Sequence, residues 1–241
     1  DHMYFSSEEY GATIGPNVLV GYQYTTGLYN FWTYHSAPVG DAGTAMINDF
    51  TGELNLVRND YIGKHEGFVI DLGMYYSENL KDHNIGYGLG WRTNFDSHAT
   101  INETTGERIV TNASGSKTYF EYVPAEFATD EPLIRDNNLT TYLADDGSRN
   151  ILVAHDYDND QDLEIIIYTP DRMRSIYDGN RLARIENLKT EQFLVIHHDA
   201  YDRIEKVTDF YGNYVSFEYN LTTGNLEYQL VQDRKSTRLN S

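Results

Sequence analysis

A period of about 21 residues near the C-terminal end constrains this chain more than any other feature. Ile176-Tyr177-Asp178-Gly179-Asn180-Arg181-Leu182-Ala183-Arg184-Ile185 recurs as His198-Asp199-Ala200-Tyr201-Asp202-Arg203-Ile204-Glu205-Lys206-Val207. It returns more loosely from Tyr219-Asn220 to Gly224-Asn225-Leu226. The segments between the turns keep the same offset, with Leu194, Ile196 and His198 aligned to Val215, Phe217 and Tyr219. A fixed period means one supersecondary unit repeated. Each unit reads as a β-hairpin with one apolar or aromatic face, and a lone hairpin is marginal in water. Stability must therefore come from units stacked so that they bury each other's faces. The pattern predicts an all-β chain of consecutive antiparallel hairpins, more a container or binding surface than a compact enzyme. The last unit would present an open hydrogen-bonding edge, a sign that the natural chain continues.

Composition supports strands joined by turns. Tyr (21) and Gly (19) are abundant, Asn and Asp supply turn residues, and no helical periodicity is sustained. A net charge of −19 argues against nucleic-acid and anionic-membrane partners, which need clustered Lys and Arg. With no cysteine there is neither a disulfide framework nor thiolate chemistry, a composition that suits a secreted bacterial protein. No apolar run approaches the roughly 18 residues of a membrane span, so no membrane insertion is expected. The chain opens at Asp1 without an initiator Met, so the lack of a signal peptide is uninformative and a fragment is expected.

Five stretches follow. Residues 1–30 read as the end of a preceding β segment or a linker. Residues 31–122 form an entry region. In it, Thr51-Gly52 marks a turn, Leu54 and Leu56 share a face, and Phe68, Ile70, Leu72, Met74 and Tyr76 alternate along a strand. Residues 123–170 read as connecting hairpins with an acidic loop. Lys117–Val123 and Glu164–Tyr168 are strands, and Asp145-Asp146-Gly147 is a hairpin turn. Residues 171–232 hold the Tyr-Asp repeats. Residues 233–241 look like the translation of a sequencing-library adapter; this tail carries three bases and one acid, which leaves −21 on residues 1–232.

Three stretches together resemble the RHS/YD-repeat proteins. One is Asp49-Phe50-Thr51-Gly52-Glu53-Leu54-Asn55-Leu56 followed by Arg58-Asn59-Asp60. The second is Met74-Tyr75-Tyr76-Ser77 with Gly86-Tyr87-Gly88-Leu89-Gly90-Trp91, and the third is the repeat itself. Phe31 to Gly43 also resembles the segment before that entry in wall-associated RHS proteins of Gram-positive bacteria. The residues that carry the resemblance as structural motif are Gly52, Tyr76, Gly88, Gly90, Trp91, Tyr177, Asp178, Gly179, Arg181, Leu182, His198, Asp199, Arg203, Gly212, Asn213 and Tyr219. The resemblance implies a ribbon of hairpins that spirals into a hollow shell. In bacterial toxins of this type the shell encloses a C-terminal toxin domain; in teneurins a similar shell supports adhesion. Implied partners are the rest of the shell and its C-terminal cargo, with cell-surface glycans as a further class, in a secreted or cell-wall-associated bacterial setting. Two departures stand out: His198 replaces the Tyr of the repeat, and Ala200-Tyr201-Asp202-Arg203 lacks the usual Gly.

Candidate sites are few. Asp156, Asp158, Asp160 and Asp162 suit Ca²⁺, which takes several oxygens in flexible geometry. Gln161 and Ile167 break the EF-hand pattern, so a solvated loop is the plainer reading. His197 and His198 point to opposite faces of a strand and cannot share a metal. Trp32 and Trp91 could stack on sugars, although strand aromatics usually pack in cores; Trp91 is expected to be a core anchor. Asn102, Asn112, Asn138 and Asn220 open glycosylation triplets that matter only in a eukaryotic secretory pathway. No nucleophile-elbow, phosphate-loop or zinc pattern is present. The expectation is a non-catalytic shell segment without a resident cofactor. The alternatives are a carbohydrate-binding or adhesion module, or a β-rich glycoside hydrolase.

Overall fold

The computed structural model describes residues 4–8, 17–21, 27–29, 31–64, 67–101, 107–123, 140–155 and 164–232. Its regular elements are nineteen strands and two short 3₁₀ turns; no α-helix occurs among the described residues. All strand pairings are antiparallel. β1 (Tyr4–Glu8) and β2 (Asn17–Gly21) pair with each other. A five-stranded meander follows: β3 (Tyr34–Pro38), β4 (Thr44–Asn48), β5 (Leu54–Ile62), β6 (Asp71–Ser77) and β7 (Trp91–Thr93).

The next eight strands close on themselves. They are β8 (His98–Ile101), β9 (Arg108–Thr111), β10 (Lys117–Val123), β11 (Thr141–Ala144), β12 (Ile151–His155), β13 (Glu164–Tyr168), β14 (Met173–Asp178) and β15 (Arg181–Asn187). Each pairs with the next, and β15 returns to β8 through Arg181 opposite His98. The seam is held by Ala99 N–H on Asn180 O (3.0 Å) and Leu182 N–H on Ser97 O (3.2 Å).

Cross-strand pairing explains what fills this barrel. Ala99 lies opposite Val110, Phe120 opposite Ala144, Leu152 opposite Ile167, Ile165 opposite Tyr177, and Tyr177 opposite Leu182. Directly opposed residues share a face, and all of these belong to one buried cluster. An eight-stranded barrel is just wide enough for side chains to fill it. Ile151, Val153, Ile166 and Ile176 form a second buried cluster on the other face of β12–β14. Burial on both faces is why Ile165-Ile166-Ile167 reads as an unbroken apolar run.

β15 is also the branch point. Arg184 to Asn187 pairs with β16 (Gln192–His198), which continues through β17 (Ile204–Asp209), β18 (Tyr214–Tyr219) and β19 (Leu226–Gln232). The inner face of this ribbon, with Leu194, Ile196, Ile204, Val207, Val215 and Phe217, joins the main core together with Ile70 and Leu72 of the meander. Phe68 N–H donates to Gln192 Oε1 (2.7 Å) across that contact. The hairpin units thus differ from the stacked arrangement expected from the sequence. They hydrogen-bond edge to edge in one sheet, because the meander and barrel already cover their apolar face.

The repeat is visible in the backbone. The register slips between Ile176 and Tyr177, between His197 and His198, and between Glu218 and Tyr219. A β-bulge thus recurs at the same place in each unit, at intervals of 21 residues. The residue after each bulge faces the first residue or so of the returning strand: Tyr177 opposite Leu182, His198 opposite Ile204, Tyr219 opposite Leu226.

Candidate functional site

The Asp or Asn of the second and third units organises its turn. Asp199 Oδ1 accepts the N–H groups of Tyr201 (2.8 Å) and Arg203 (3.0 Å). Asn220 Oδ1 does the same for Thr222 (2.8 Å) and Thr223 (2.9 Å). At the opposite end of the ribbon Asp209 Oδ1 holds Tyr211 (2.9 Å) and Asn213 (2.8 Å), with Gly212 between them at φ 79°. These are side-chain mimics of a backbone turn, which only short polar side chains can make. Asp202 completes its turn in the left-handed region at φ 62°, which Asp tolerates better than most residues.

Arg203 locks two consecutive turns together. Its Nε and Nη2 donate to Asp199 Oδ2 (2.8 and 2.6 Å), and Nη1 donates to Gly224 O (3.1 Å). Its guanidinium also lies over the Tyr219 ring at 4.2 Å. Burial alone would raise the Asp199 carboxyl, but the Arg203 side chain and the turn N–H groups hold it below the usual range.

The glycine loop docks on the third unit. Leu226 N–H donates to Gly86 O (2.6 Å), and Asn84 Nδ2 donates to Asn225 Oδ1 (2.7 Å). Tyr87 meets Phe217 and Tyr219 edge-on at 5.9 and 6.0 Å, and the Tyr219 hydroxyl donates to Ile204 O (2.7 Å). A Cβ on Gly86 would fall 2.8 Å from the Tyr219 ring, and one on Gly90 would fall 2.7 Å from the Tyr76 ring. Both residues also have positive φ (114° and 77°), so sterics and backbone each require glycine.

Between the glycine loop and the second and third repeat turns lies a cleft of about 540 Å³. Asp96 and Arg181 line its base, and Tyr201, Asp202, Leu221 and Thr222 stand in its walls. Asp96 is buried, and its Oδ2 accepts Thr93 N–H (2.9 Å). Burial pushes its carboxyl up to about 6 against the pull of Thr93, Arg92 and Arg181. Burial, then Arg181 and Arg92, push His98 down to about 4, so its neutral Nε2 accepts from Arg181 Nη1. His198 is lowered for the same reasons, burial first and Arg181 second. Arg181 also approaches Asp202 at 3.7 Å, while its Nε is buried with no hydrogen-bond partner.

The residues expected to carry the motif are distributed as follows. Tyr177 lies inside the barrel, its hydroxyl 2.9 Å from Ser97 Oγ, and burial pushes it up to about 12. Gly179 makes the two-residue connection from Asp178 to Arg181 at φ 56°. Gly52 turns β4 into β5 at φ 74°. Trp91 differs from expectation: it is half-buried on the meander, 5.6 Å from Tyr76, with Arg58 at 5.2 Å over its ring. The meander's other polar surprise is Glu53, buried because it accepts Gly27 N–H (3.2 Å) and the Ser77 hydroxyl (2.7 Å). Trp32 stands between exposed Phe31 and Phe50 at 5.7 and 5.1 Å. His197 is exposed and His198 half-buried. Asp156, Asp158, Asp160 and Asp162 lie outside the described residues, as do Asn102 and Asn138. Among the described residues no group of three or more acidic and His side chains is gathered for a metal, and no helix is long and apolar enough to cross a membrane.

Sequence reasoning missed Asp96, Arg92 and His98. Arg92 four residues before Asp96 was a local signal; the approach of Arg181 depends on barrel closure and had none. Comparison with protein-family models and with curated proteins finds no match to this chain.

Proposed function

We propose that this chain is the opening segment of an RHS/YD-repeat shell on a secreted or cell-wall-associated bacterial protein. Its role is structural: to start a β-ribbon that encloses or presents a C-terminal effector domain. The observation that carries the reading is the 21-residue recurrence of one device, a bulge at Tyr177, His198 and Tyr219, followed in the second and third units by a side-chain-capped turn. The filled barrel acts as a solid base, since its interior is occupied by Phe120, Leu152 and Tyr177 and leaves no lumen for cargo. The ribbon grows from it at β15, and the outer edge of β19 has no strand partner among the described residues. Such an edge accepts another strand by main-chain hydrogen bonding.

The test is the natural gene product carried past Gln232. Further Tyr-Asp hairpins that pair with β19, with a C-terminal domain resistant to added protease, are the expected result. A following segment that leaves β19 unpaired, or a C-terminal domain digested as fast as when it is expressed alone, would remove the enclosure reading.

A further inference from the structure

We propose that the seam closing the barrel is an acid-released latch, with the His98 ring as its pin and the second repeat turn as the part it frees. The inference does not depend on the shell reading, since it concerns how the barrel shuts and not what the ribbon encloses. Geometry carries it. β8 and β15 meet through one opposed pair, His98 and Arg181, and two backbone bonds beside it, Ala99 N–H on Asn180 O and Leu182 N–H on Ser97 O. Arg181 Nη1 donates to His98 Nε2, the guanidinium's one side-chain hydrogen bond among the described residues, while its Nε–H is buried without a partner. The same guanidinium reaches Asp202 at 3.7 Å in the turn between β16 and β17. One side chain thus joins the barrel wall to the ribbon.

The bond to His98 exists only while the ring is neutral, because a protonated imidazole has two donors and no acceptor. The charges around the ring make protonation costly. Arg181 on β15, Arg92 on β7 and His198 on β16 oppose it, and Asp202 favours it. His198 in turn faces Arg181, with Asp202, Asp199 and Asp178 on the other side of the balance. Asp199 is already bound by Arg203. Burial, then Arg181 and Arg92, hold the His98 ring down to about 4 in the closed seam, against 6.5 for an ordinary His. Closure is therefore at full strength above about pH 6.5 and is lost progressively as pH falls toward 4. Asp96, which faces Arg92 and Arg181, titrates in the opposite sense: burial raises it to about 6, so its protonation favours the closed state as pH falls. Its hydrogen bonds run to Thr93 on its own stretch of chain and survive seam opening, so it tempers the latch without cancelling it.

The experiment is site-resolved amide exchange on the full 241-residue chain, corrected for intrinsic rates. The seam amides are Ala99 and Leu182, and Val153 and Ile166 on β12–β13 are the interior reference. Between about pH 7.5 and about pH 5, seam protection should fall at least about threefold in the native chain while the reference amides hold. In Asp96→Asn the fall should reach about twentyfold, as a ring moving from about 4 to 6.5 on opening requires. Adding His98→Gln, whose Oε1 can still accept from Arg181 but does not titrate, should leave about threefold or less, carried by His198. An NMR titration of the His98 ring in the native chain serves as a second measurement that needs no variant. A native seam that keeps its protection in acid overturns the proposal. So does an equal fall with Gln at position 98, or a His98 ring that titrates near its ordinary value.

Discussion

The barrel and the ribbon use the same hairpin in opposite ways. In the barrel each strand has a partner on both sides, and the first repeat unit is locked into the wall by its seam with β8. In the ribbon the later units extend from β15 with a single shared face covered, and β19 has one strand neighbour among the described residues. The repeat position after the bulge records the difference. Tyr177 is sealed in the barrel and bonded to Ser97, His198 is half-buried beside Arg181, and Tyr219 needs the glycine loop to cover it. One unit can therefore serve as closed core or as growing edge, depending on what the rest of the chain lays against it.

Core truncation should separate the two most strongly. Phe120→Ala, deep in the barrel, should cost about 3–5 kcal/mol, whereas Val215→Ala in the ribbon should cost about 2 kcal/mol, read by denaturant unfolding. Equal losses would mean that the ribbon is packed as completely as the barrel. Next comes the docking loop. Gly86→Ala forces a Cβ against the Tyr219 ring at positive φ and should cost about 2 kcal/mol, loosening the third unit first. Amide exchange that stayed unchanged in β18 and β19 would show that the loop does not hold them.

Asp96→Asn sharpens the contrast through pH. The folded carboxyl holds its proton up to about 6, so its contribution is full below the unfolded value and is lost as pH rises through 6. At pH 8 the native chain carries a buried charge that Asn avoids, and the variant should gain up to about 3 kcal/mol. That gain should vanish near pH 4, where both side chains are neutral. His98 and His198 act in the other sense: their lowered folded values mean stability is lost as pH falls below the ordinary His range. A pH-independent gain in Asp96→Asn would place the group outside the buried cluster. The smallest effect is expected at Trp91→Ala, about 1–2 kcal/mol, because the half-buried ring forfeits only part of its area.

Local order was legible in the sequence and closure was not. Lys117–Val123 and Glu164–Tyr168 match β10 and β13 residue for residue, because both are dense in β-branched and aromatic residues. The repeat period was readable because its Asp and Asn caps act within a few residues. Barrel closure rests on Arg181 opposite His98 and the two backbone bonds beside it, between residues far apart in sequence, and no alternation announces it. The same limit hid Asp96, whose environment is made by that closure. On the meander, Leu54 and Leu56 do share a face, but Glu53 and Asn55 are more buried. For Glu53 the reason is a distant one, Gly27 donating to its carboxylate.

Amide hydrogen exchange resolved by strand tests the central claim most directly. The account predicts slow exchange throughout β8–β15, progressively faster exchange from β16 to β19, and renewed protection of β19 when the chain is extended past Gln232. Outward-facing β19 amides that are already as protected as those of β16, and unaffected by extension, would contradict a ribbon growing from a closed barrel.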